Sequence, residues 1–124
     1  NSECCSGYAL PSNQLVGPAV AAFWGDINAA NGSFTTVGNP GSRQMIYQRN
    51  GVEYGVAGNP QIYRIILTEG SNEITIMYQD AIYTNRNMSI GIQAEQNTRG
   101  VGAVYQARGQ VTRLREKALR FVPW

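Results

Sequence analysis

Turn-forming residues recur so often along this chain that a long helix has no room between them. Pro11, Gly17–Pro18, Asn31–Gly32, Asn39–Pro40–Gly41, Asn50–Gly51, Gly58–Asn59–Pro60, Gly70–Ser71–Asn72 and Gly100 punctuate it. Gly and Pro are the strongest local interruptions of regular structure. Between these points lie runs rich in Val, Ile, Tyr, Phe and Thr, residues that suit a pleated, half-buried surface. No stretch of about twelve residues is both free of such breaks and periodic at the helical spacing. Strands alternating with turns predict an all-β fold: a two-sheet antiparallel β-sandwich with short strands and little helix.

The middle of the chain carries the clearest strands. Residues 61–68 read QIYRIILT and residues 73–79 read EITIMYQ. In the second run Ile74, Ile76 and Tyr78 alternate with Thr75, Met77 and Gln79, the period of a strand. Glu69-Gly70-Ser71-Asn72 is a short turn-forming link, which predicts a hairpin. Further strands are expected at 20–26, 33–37, 44–49, 89–93, 101–106 and 118–122, and one helical turn at 110–116. Gly91 should mark a place where backbone or a large side chain comes close. The shared interior is predicted to hold Phe23, Trp24, Ile65, Leu67, Ile74, Ile76, Ile90, Ile92 and Phe121. Phe23 and Trp24 are adjacent, so one of them faces outward unless their strand is bulged.

The 124 residues suit one domain, spanning 1–124, with an irregular loop over residues 1–18. Only 15% of residues are charged, against the usual level of about 25%. Asn, Gln, Ser, Thr and Gly replace them, a neutral hydrogen-bonding composition suited to sugars, proteins or self-association. The formal net charge is +2, and its only basic run, Arg113, Arg115 and Lys117, is too sparse for a nucleic-acid face. No apolar stretch approaches the ~18 residues that span a bilayer.

Little in the sequence supports catalysis. There is no His, the commonest general base and metal ligand. Serine therefore has no His partner, and no phosphate-cradling glycine loop occurs. Nothing in their spacing selects a working pair of carboxylates. No cofactor or metal is expected. Asp26 and Asn28 are the nearest approach to a cation site, but calcium needs roughly six to eight oxygens. Cys4 and Cys5 are adjacent, with Cα atoms ~3.8 Å apart. Ordinary disulfides want about 4.4–6.8 Å. Three readings stay open: a strained ring between Cys4 and Cys5, bonds to cysteines of other chains, or free thiols. An extracellular setting points to oxidised cysteines. Asn31-Gly32-Ser33 and Asn87-Met88-Ser89 make Asn31 and Asn87 glycosylation candidates, both in expected turns.

Several segments together form a recognisable series: Cys4-Cys5-Ser6-Gly7 with Leu10-Pro11-Ser12, then Ala21-Ala22-Phe23-Trp24-Gly25-Asp26-Ile27, then Arg43 opening a strand that ends at Asn50-Gly51-Val52, then Tyr63-Arg64-Ile65-Ile66-Leu67-Thr68-Glu69-Gly70-Ser71-Asn72-Glu73-Ile74-Thr75-Ile76-Met77-Tyr78, and finally Ser89-Ile90-Gly91-Ile92-Gln93 and Ala118-Leu119-Arg120-Phe121-Val122-Pro123. This series resembles the nidogen-like β-sandwich modules of secreted and cell-surface proteins, especially bacterial ones. Met45-Ile46-Tyr47-Gln48-Arg49 departs from the family's F-x-V-x-W strand. The family's opening strands have no counterpart before Cys4. The resemblance implies an extracellular, non-catalytic structural or adhesion module without its opening strands. Its expected partner is a second copy, or another polypeptide, supplying a strand at a sheet edge; repeated head-to-tail, that contact would build a filament. A lectin-like domain with a glycan ligand and a secreted hydrolase or accessory domain are the rival readings.

Overall fold

A computed structural model describes residues 7–15, 17–84, 86–95 and 99–123. Cys4 and Cys5 lie outside the described residues. Eight strands follow in chain order: β1 (Ala19–Trp24), β2 (Ile27–Val37), β3 (Gln44–Glu53), β4 (Val56–Thr68), β5 (Ile74–Thr84), β6 (Met88–Glu95), β7 (Arg99–Gln106) and β8 (Val111–Phe121). They form a three-stranded sheet, β1-β6-β7, and a five-stranded sheet, β2-β3-β4-β5-β8. The paired strands run antiparallel. The all-β, two-sheet antiparallel class read from the sequence is the one the chain adopts. No helix occurs among the described residues.

The chain divides into two compact units, residues 1–26 with 83–112 and residues 27–82 with 113–124. The first unit is built on the three-stranded sheet. Its opening residues 7–15 carry no strand, as the irregular start predicts, yet they are tied to the sheet. Gln93 is buried and accepts the Ser12 N–H at 2.6 Å. Its amide donates to the Leu15 carbonyl at 2.9 Å and to the Gly17 carbonyl at 3.4 Å. A Cβ at Gly91 would sit 3.0 Å from Leu10 Cδ1, and one at Gly100 would sit 3.2 Å from Pro11 Cβ. Gly91 thus marks a close approach, as expected: such a Cβ would meet the Val101 carbonyl of β7 first, with Leu10 of the N-terminal strap next.

β1 is bulged: Ala21 pairs with Gly91 and Trp24 with Ser89, so two residues face one. A bulge rotates the strand locally, and Ala21, Ala22 and Phe23 are buried in succession. Trp24 is only half-buried and lies 5.6 Å from the Tyr8 ring. β5 carries a second such device. Tyr63 pairs with Tyr78 while Ile62 pairs with Asp80, which leaves Gln79 unpaired. The extra residue shifts the alternation by one, so Ile76 and Tyr78 before it and Ala81 and Tyr83 after it are all buried. Alternation in the sequence stops at Gln79, which predicts the strand's end there. The bulge absorbs the break and the strand continues to Thr84.

Other expectations need correction for related reasons. Asn31–Gly32, Asn50–Gly51 and Gly58–Asn59–Pro60 are not turns but lie within β2, β3 and β4. Register shifts fall beside them, between Ala29 and Asn31 and between Val52 and Glu53, and bulges accommodate Gly and Pro inside strands. The helical turn expected at 110–116 is instead part of β8. There Glu116 takes a left-handed φ of 53°, which resets the strand's parity. The half-buried side chains accordingly change from Thr112 and Leu114 to Leu119 and Phe121. Of the predicted core, Phe23, Ile76 and Ile90 are buried. Trp24, Ile65, Ile74, Ile92 and Phe121 are half-buried. Leu67 is 38% exposed, because it lies at the turn end of β4, beyond the buried rows.

Candidate functional site

The residues that give the sequence its distinctive pattern build two corners. In the first, the Phe23 ring stacks on Tyr83 with centroids 5.5 Å apart. The chain then turns over the same ring: a Cβ at Gly25 would meet it at 2.5 Å, so the position requires glycine. The Asp26 N–H donates to the Tyr83 hydroxyl. The Asp26 carboxylate holds the Arg86 guanidinium at 2.5 Å. Phe23, Gly25 and Asp26 therefore fold around one tyrosine.

The second corner is the Glu69-Gly70-Ser71-Asn72 turn between β4 and β5. Gly70 and Asn72 adopt φ of 90° and 57°, values that favour Gly and Asn. The Asn72 N–H closes onto the Thr68 carbonyl at 3.0 Å. The Glu69 carboxylate accepts from Arg43 Nε at 2.8 Å and Nη2 at 3.1 Å, and from the backbone N–H groups of Gly41 and Arg43. These donors hold the Glu69 carboxyl at a pKa of about 2, well below its ordinary value. The carboxylate is a clasp joining the β2–β3 loop to the hairpin.

Two further carboxylates of the second unit, Asp80 and Glu53, are also engaged. Asp80 accepts from Arg113 and Arg115 of β8 at 3.2–3.3 Å, and these arginines lower its pKa. Glu53 is almost fully buried and accepts the Asn59 amide at 2.7 Å. Among the described residues, no group of three or more His, Cys, Asp or Glu is placed to hold a metal ion. Asp26 is bound to Arg86, and Asn28 is an exposed position of β2. Asn31 is exposed within β2, whereas Asn87 is half-buried and its carbonyl accepts the Gly7 N–H.

The register of the five-stranded sheet sets three rows on one face: Gly32–Arg49–Tyr63–Tyr78, Phe34–Tyr47–Ile65–Ile76 and Thr36–Met45–Leu67–Ile74. Tyr63, Ile76 and Tyr78 are buried, and burial raises the pKa of both tyrosines. The same apolar face becomes exposed toward the β2 edge and the turn end. There Phe34 is 68%, Met45 43% and Leu67 38% accessible. Phe34 rests against Tyr47, centroids 5.0 Å apart. At the turn end a cleft of about 530 Å³ has Thr36, Met45, Leu67 and Ile74 in its lining, with Arg43, Glu69 and Glu73 also among its walls.

The two edges of this sheet differ in chemistry. β2 (INAANGSFTTV) has no charged residue, and residues 31–37 are all exposed. β8 carries Arg113, Arg115, Lys117 and Arg120 against Glu116. The strand expected at Ser33–Val37 is present within β2, but nothing in its residue types singles out Phe34. Its signal was the lack of charge across the run from Ile27 to Val37.

Residues 1–118 match the NIDO-related family, and the chain belongs to it. No curated protein and no solved structure matches it significantly. Among the described residues no helix is long and apolar enough to cross a membrane.

Proposed function

We propose that this chain is a non-catalytic, extracellular structural or adhesion module that works through protein–protein contacts, self-assembly among them. One observation carries the reading: the polar residues that mark the family are engaged inside the molecule, while its apolar face continues into solvent. Glu69 is held by Arg43 and Asp26 by Arg86. Phe34, Met45 and Leu67 extend the buried rows outward. Contiguous exposed apolar surface marks an interaction site. Nidogen-related membership agrees with an extracellular setting.

The cleft beside Glu69 favours a second reading, a lectin-like domain, since it offers Thr36, Thr68 and Asn72 as polar groups over an apolar floor. A hydrolase would have to use Glu69 and Glu73 in that cleft. General acid catalysis needs a carboxyl whose pKa is raised toward neutrality, and that of Glu69 is lowered. A glycan array together with a chromogenic glycoside panel tests the proposal. The expected result is no retained glycan and no hydrolysis. Micromolar retention of a saccharide, abolished by Asn72→Ala, would overturn it in favour of the lectin; turnover abolished by Glu73→Gln would favour the hydrolase.

A further inference from the structure

We infer that residues 31–37 of β2 pair antiparallel with the same segment of a second copy of this chain, about a two-fold axis at Phe34. The inference rests on the protein–protein reading above and assigns it a surface. The segment is bounded by the register shift between Ala29 and Asn31 at one end and by the loop after Val37 at the other. Every residue between is exposed, and the strand's other side is engaged by β3 along its whole length. Sheet edges left open in this way template further strand pairing unless charge, Pro or a bulge guards them. From Asn31 to Val37 there is neither charge nor Pro.

Charge selects the occupant. In a self-paired strand each residue meets its own kind or a near neighbour, and like charges directly opposite are destabilising. Full overlap of β8 would set Arg115 opposite Lys117 and Glu116 opposite Glu116, like charges in both cases. β2 brings no charge to such a seam. Full overlap of the seven residues, 31 to 37, places Phe34 opposite Phe34 of the second copy. It also sets Ser33 opposite Thr35, Gly32 opposite Thr36 and Asn31 opposite Val37. Hydroxyl and aromatic cross-strand pairs are favourable. Each Phe34 already rests on Tyr47, so the seam would join two such pairs into one aromatic cluster. A two-fold contact closes on itself, giving a dimer and not a filament. Asn31 lies inside the segment, so a glycan on it and strand pairing exclude each other.

Sedimentation velocity of the full chain, from low to several hundred micromolar, tests the inference with charge-swapped variants. The wild type should pass from monomer to dimer. Phe34→Lys and Phe34→Glu should each weaken dimerisation by at least about tenfold, and mixing the two should restore it, which also shows that both variants are folded. A wild type that stays monomeric overturns the inference. So does a dimer that neither substitution weakens, or one weakened by Arg115→Glu on β8. These outcomes are separate from failure of the protein–protein reading, which appears as glycan retention or hydrolysis. Should either variant unfold, concentration-dependent amide protection of wild-type residues 31–37 decides the matter, and its absence overturns the inference.

Discussion

The two sheets cover their surfaces to different extents. The three-stranded sheet carries a partial cover of its own: Leu10 and Pro11 lie against Gly91, Gly100 and Gly102, and Gln93 fastens the strap, while Val101 and Tyr105 of β7 stay exposed. The five-stranded sheet leaves Phe34, Met45 and Leu67 open and guards only its β8 edge with charge. A cover supplied by the same chain satisfies backbone groups permanently. An uncovered, uncharged edge leaves its backbone groups to water or to another strand. The difference separates the part of the molecule that maintains the fold from the part available for association.

Substitutions should sharpen this contrast. The largest effect is expected at Ile76→Ala, in the buried row of the five-stranded sheet. Its side chain is fully buried, and the loss should be roughly 2–5 kcal/mol in denaturant unfolding. Next comes Gln93→Ala. It leaves the Ser12 N–H and the Leu15 and Gly17 carbonyls without their partner, and one unmet buried polar group costs about 1–3 kcal/mol. Proteolysis near Leu10 should then accelerate while the amides of β3 and β4 stay protected. If the whole chain loosened together, the strap would not be a local cover.

A smaller effect concerns acid. The folded pKa of Glu69 is about 2, depressed mainly by Arg43, below its unfolded value of about 4.3. A depressed carboxylate contributes stability above the unfolded pKa and loses it as pH falls through the folded one. Asp80 is shifted in the same direction. Stability should therefore decline from about pH 5 toward pH 2, and Glu69→Gln should flatten part of that decline. An unchanged acid limb in the variant would show that the clasp adds nothing to stability. The smallest effect on folding is expected at Phe34→Lys. Its side chain is 68% exposed, so unfolding free energy should move by no more than about 0.5 kcal/mol while dimerisation is lost. A large destabilisation would instead make Phe34 a core residue.

Much of the fold is legible in the residues. The hairpin of β4 and β5 followed from alternation at Ile74, Ile76 and Tyr78 and from the Glu69–Asn72 turn. The bulge expected if Phe23 and Trp24 were both to avoid solvent is present, although Trp24 stays half-buried. Less legible was anything that depends on register. Asn31–Gly32 and Asn50–Gly51 have turn chemistry, and only the pairing of β2 with β3 keeps them extended. Glu116 breaks alternation with one left-handed residue, so β8 read as a turn followed by a strand. Low charge predicts a neutral hydrogen-bonding surface, yet Gln61, Gln93 and Gln106 are buried and donate to main-chain carbonyls. The open apolar face stayed hidden because exposure at Phe34, Met45 and Leu67 depends on position in the sheet, not on residue type.

Amide hydrogen exchange of the wild-type chain, measured at low and high micromolar concentration, compares the edges most directly. Protection of residues 31–37 should rise with concentration while that of β8 stays constant. Equal exchange of residues 31–37 at both concentrations, or a rise confined to β8, would contradict the assignment of β2 as the surface through which this module associates.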